Sequence, residues 1–129
     1  MSIPFWCLFF AALLIYLAKI PVAKAMREEG GGYDNRNPRA QQARLSGLGA
    51  RAVAAHQNSI EIFPLFAAGV LVAHSTQTQG YFIDLLAALF VVSRVLYLFL
   101  YWNDKSSLRS LVWVVGLLCC LLLMLSPAL

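Results

Sequence analysis

Arg51, His56, Gln57, Asn58 and Glu61 interrupt a stretch of this 129-residue chain that is otherwise dominated by alanine, isoleucine, phenylalanine and leucine. At 3.6 residues per turn, Arg51, Asn58 and Glu61 fall within an arc of roughly 80°, whereas His56 projects from nearly the opposite side. A second set, Arg94, Tyr97, Tyr101 and Lys105, recurs at the i, i+3, i+7, i+11 spacing of a single helix face, with Arg109 just beyond. Guanidinium, amide and phenol on facing helices suit an anionic, peptide-like ligand, so Arg51, Asn58, Arg94, Tyr97, Tyr101 and Arg109 are read as the lining of a pocket. A structural role competes for part of the set. Glu61 and Arg94 both lie on the order of 12–17 Å from the cytoplasmic boundary at 1.5 Å per residue, which predicts an ion pair between them with Asn58 bridging. His56 has no second ligand at metal-binding spacing, and no metal site is expected.

The elements that must position these residues follow from composition. Apolar side chains make up 60% of the chain and charged ones 12%, against about 25% charged in an ordinary globular domain. Positions 2–18, 62–82 and 110–129 carry no charge at all. Since a spanning helix takes roughly 20 apolar residues, the chain has room for four crossings and no sizeable extramembrane domain. The pattern predicts helices over about 3–29, 50–74, 81–102 and 107–126. Pro21 should kink the first near its membrane boundary. The Gly-, Asn-, Pro- and Arg-containing stretch 30–49 is the one long loop, while the turns near 75–80 and 103–106 are short and make their flanking helices antiparallel neighbours. The fold class is therefore all-α: a four-transmembrane-helix antiparallel bundle, one integral membrane domain over 1–129.

Lys24, Arg27, Arg36, Arg39, Arg44 and Arg51 flank the first connection and Lys105 and Arg109 the third, so both termini are expected on the non-cytoplasmic side. That distribution explains the net charge of +4 as an orientation signal and leaves nothing for a nucleic-acid partner. Cys7, Cys119 and Cys120 sit in apolar runs and read as small apolar side chains. No basic segment precedes the first apolar run, so it is expected to be retained as a helix rather than cleaved.

The run Arg51-Ala-Val-Ala-Ala-His56-Gln57-Asn58-Ser-Ile-Glu61-Ile-Phe63-Pro64-Leu-Phe66 resembles the signature of the MAPEG family, the membrane-associated proteins in eicosanoid and glutathione metabolism. Arg94-Val-Leu-Tyr97, then Tyr101, then Arg109-Ser110 is similar to the family's second motif, and the likeness extends over essentially the whole chain. The loop around Tyr33-Asp34-Asn35-Arg36-Asn37-Pro38-Arg39 looks like the bacterial branch, implying the inner membrane. The resemblance implies a homotrimer with glutathione held between subunits near the cytoplasmic side. By position, Asn58, Glu61, Tyr97 and Tyr101 match residues that contact glutathione, and Arg51 and Arg94 match structural or ion-pairing arginines. Arg109 matches an arginine thought to activate the thiol, in keeping with the preference for thiolate beside a guanidinium.

Two departures from the family pattern separate two functional classes. Many glutathione-using members carry a second arginine where this chain has Ala54, and some have a basic residue where it has Gln57. The first class is a glutathione transferase or peroxidase acting on a lipophilic electrophile. The alternative is a non-catalytic scaffold or accessory subunit of a larger membrane complex that keeps the fold. A proton-coupled exporter ranks last, because Glu61 lies among cations.

Overall fold

The computed structural model describes all 129 residues, every regular element of which is helical. The first apolar run forms α1, Ile3–Leu17, with Pro4 in its first turn where a missing N–H costs nothing. After Ala18 the chain continues as α2, Lys19–Glu28. The break falls at the carbonyl end of α1 because Pro21 cannot donate to Leu17 and its ring crowds that carbonyl, four residues back. The predicted kink thus appears a turn before the proline itself.

The long loop contains a helix that the pattern does not reveal: α3, Pro38–Arg44. Gln41, 1% exposed, ties the loop to the bundle. Its Nε2 donates to the Met26 carbonyl at 3.0 Å and the Gly32 carbonyl at 2.9 Å, while its Oε1 accepts from the Asp34 amide at 2.8 Å. Asp34 Oδ1 in turn accepts from the amides of Arg36 and Asn37, which satisfies donors ahead of α3. Two ion pairs brace the same end, Lys24–Glu28 at 3.9 Å and Arg44–Glu29 at 3.5 Å.

The remaining spans are α4, Gly47–Ser75, α5, Tyr81–Trp102, and α6, Ser106–Leu125, followed by a short 3₁₀ turn at Ser126–Ala128. Pro64 sits on the exposed side of α4 without interrupting it. The α1–α2 unit, α4, α5 and α6 are each long and apolar enough to cross a membrane. α4 and α5 form the centre, each packing on α1 and on α6. The core between them is apolar, with Phe66 stacked on Phe90 at 3.9 Å and Val70, Leu86, Cys120 and Leu123 around them.

Close approach of α6 to its neighbours depends on two glycines. A Cβ at Gly69 would lie 2.9 Å from Leu123 Cβ and 3.1 Å from the Cys120 carbonyl oxygen, and one at Gly116 would lie 2.9 Å from Ser93 Oγ. Small residues at such crossings let membrane helices pack backbone to backbone, where apolar burial gives little advantage over lipid. The outward faces are correspondingly greasy: Phe9, Phe10, Leu71, Val92, Phe99, Leu118 and Leu121 are all exposed, as a lipid-facing surface requires.

Candidate functional site

The carboxyl-terminal end of α5, the first turns of α6 and the middle of α4 enclose a groove of about 430 Å³ lined by Asn58, Tyr97, Tyr101, Arg109, Ser110, Trp113 and Val114. Four of the residues read as site candidates from sequence meet here: Asn58, Tyr97, Tyr101 and Arg109. The i, i+4 spacing of Tyr97 and Tyr101 stacks their rings edge to face, with centroids 5.6 Å apart. The short turn at Asn103–Lys105 then brings α6 back beside them, and the Arg109 guanidinium settles over the Tyr101 ring at 4.2 Å. A cation held against an aromatic face keeps its donors in one plane for a ligand.

Arg94 occupies a different place from the one expected. It is 4% exposed and lies behind the groove rather than on its wall. Its Nη2 donates to Asn58 Oδ1 at 2.9 Å, and its guanidinium lies 4.1 Å over the Tyr97 ring. A guanidinium has donors only, so the Asn58 amide must turn its oxygen toward Arg94 and leave its Nδ2 free for the groove. Arg94 therefore sets which way the amide faces.

The expected Glu61–Arg94 ion pair does not form within the chain, and the only ion pairs are the two at the loop end. Glu61 follows Asn58 by three residues, which turns it about 60° around α4 and onto the exposed surface. Arg94 points inward instead and takes the neutral amide, with Nη1 left without a protein partner. Arg51 also stands apart from the groove. It is half-buried toward the loop end, with Nη2 donating to the Trp102 carbonyl at 3.4 Å and Nε unpartnered.

Ser110, Trp113 and Val114 complete the lining without having been singled out as site residues. Trp113 and Val114 read as ordinary membrane-facing positions in an apolar run. Their one available signal is spacing, since Trp113 follows Arg109 by one helical turn and must share its face.

A four-helix membrane bundle with a polar groove at one end and an apolar wall beside it is the class of protein these features define. The chain belongs to the MAPEG family, whose model matches residues 3–129. Neither the curated proteins nor the solved structures compared with it give a match. Family membership makes it a multi-pass protein of the lipid bilayer, in agreement with the four apolar spans.

Proposed function

We propose that the protein is a glutathione-dependent transferase or peroxidase acting on lipophilic electrophiles. It works as a homotrimer of the bacterial branch, in the inner membrane with both termini on the non-cytoplasmic side. The observation that carries this reading is the groove in which Asn58, Tyr97, Tyr101 and Arg109 adjoin Trp113 and Val114. Polar donors and an apolar wall side by side suit a reaction between a water-soluble partner and a membrane-dissolved one.

Glutathione supplies a thiol nucleophile when bound. The residues present fit it in kind: the Asn58 Nδ2 and the two phenols offer hydrogen bonds to a peptide, and the Arg109 guanidinium favours thiolate over thiol. A tripeptide with two carboxylates calls for more than one cation, and the groove of a single chain supplies Arg109 alone. Arg51, with its unpartnered Nε, and Glu61, the one carboxylate on α4, lie outside it. Both become available if the groove is completed at a subunit boundary. Trp113 and Val114 would then meet the electrophile arriving from the bilayer, next to the guanidinium that holds the sulfur charge.

Conjugation of glutathione to a nitro-activated aryl chloride, followed with the purified assembly, tests this directly. Arg109→Ala should lower kcat/KM by about 100-fold or more, the usual effect of removing one donor from a developing charge. Equal rates for both forms would contradict it. Ala54 favours a second reading, a non-catalytic scaffold or accessory subunit of a larger membrane complex, because it removes a cation from the α4 face. In that case Arg109→Ala and Tyr97→Phe leave partner association unchanged.

A further inference from the structure

On the side of α4 turned away from Asn58, three basic side chains from three elements come together. Ala18 and Ala55, both fully buried, belong to one core cluster, and one turn on Val22 and Ala52 share the next. These contacts lay α2 along α4 on small residues and set Lys19 and His56, which follow Ala18 and Ala55 in sequence, at the same crossing. α3 is fastened to the end of α2 by the Gln41 side chain donating to the Met26 carbonyl, and Arg39 precedes Gln41 by two residues. Lys19, Arg39 and His56 lie within electrostatic reach of one another, and the charges felt at His56 are those of the other two.

None of the three takes part in an ion pair, and the carboxylates of the chain are placed or engaged elsewhere. Glu28 and Glu29 pair with Lys24 and Arg44, and Asp34 accepts from the amides of Arg36 and Asn37. Glu61 follows His56 by five residues, about 140° further round α4. Asp84 begins α5 at the opposite end of the bundle, and Asp104 lies in the turn after it. Lys19 and His56 are half-buried, while Tyr16 and Ile60, one turn further into the apolar span on the same helix faces, are exposed. Cations near the boundary with an exposed apolar track beneath them match the two ends of an amphiphile.

We infer that Lys19, Arg39 and His56 hold the phosphate of an anionic membrane lipid whose acyl chain lies over Tyr16 and Ile60. A phosphodiester offers charged acceptor oxygens to the ammonium, the guanidinium and an imidazole N–H. The lysine reaches that phosphate with its stem kept against the apolar surface. A zwitterionic headgroup brings its own cation into a cluster that already holds two, so phosphatidylglycerol is favoured over phosphatidylcholine.

Native mass spectrometry of the purified full-length assembly, titrated with phosphatidylglycerol or with phosphatidylcholine of matched chains, tests the inference. Phosphatidylglycerol should be retained about tenfold more tightly or better. The double variant Lys19→Met/Arg39→Gln should lose that preference while its phosphatidylcholine binding, which reports an intact fold, stays as in the parent. Lys24→Gln/Arg36→Gln removes two cations from the same end of the bundle and should keep the preference. Equal retention of the two lipids, an unchanged preference in Lys19→Met/Arg39→Gln, or an equal loss in Lys24→Gln/Arg36→Gln would overturn the inference. So would displacement of the lipid by millimolar glycerol 3-phosphate or glutathione, which would give the three basic groups to a soluble anion instead.

Discussion

At the scale of single residues, one hydrogen bond decides how the groove is presented. Arg94 is nearly fully buried and has only Asn58 Oδ1 and the Tyr97 ring to answer its charge. Asn58→Leu should therefore cost about 1.5–3 kcal/mol, the worth of a hydrogen bond to a charged group, read as a lower thermal midpoint in detergent. Asn58→Asp separates stability from binding. A carboxylate there pairs with Arg94 and keeps the fold, but it offers the groove no donor, so unfolding should be no easier than in the parent while glutathione affinity falls at least tenfold. The residue types in both motifs were legible in the sequence, and so was the nearness of Arg94 to Asn58. The direction each side chain takes was not. Two helices can bring their polar stripes together in several rotations, and the sequence does not say that Arg94 turns to an amide while Glu61, 60° further round α4, turns outward.

At the scale of elements, long apolar runs and short polar turns were enough to place four spans, because the bilayer demands that every backbone group be bonded within its own helix. Helix α3 escaped because its seven residues, Pro38–Arg44, are polar and too few to show a period; what holds it is Gln41, a long-range latch rather than a pattern. Gln41→Leu removes both carbonyl contacts and should make the 30–37 loop more sensitive to limited proteolysis, with little change in the melting of the four spans. The two glycine crossings behave differently. At Gly69 the added carbon meets Leu123 Cβ and a backbone carbonyl, neither of which can move without shifting α6, whereas at Gly116 it meets a serine hydroxyl. Gly69→Ala should destabilise by about 1–3 kcal/mol, the cost of overpacking, and Gly116→Ala by less, both read from thermal unfolding in the same detergent.

At the scale of the whole molecule, the polar exposed residues gather at the ends of the bundle, and along the middle of the spans the exposed surface is apolar except where α4 shows Gln57 and Glu61. A carboxylate facing hydrocarbon costs about 2.5–3.5 kcal/mol at the centre of a span, so this stripe calls for cover by protein or water. A second and third copy provide it in the proposed homotrimer. Native mass spectrometry should find the trimer, and Glu61→Lys should weaken it by placing a cation among arginines. The central claim concerns the groove, and calorimetric titration of the purified assembly with glutathione addresses it most directly. Saturable binding at millimolar ligand or below, weakened at least tenfold in both Arg109→Ala and Tyr97→Phe, is the predicted result. No heat of binding at millimolar glutathione, from a protein that remains folded, would contradict it.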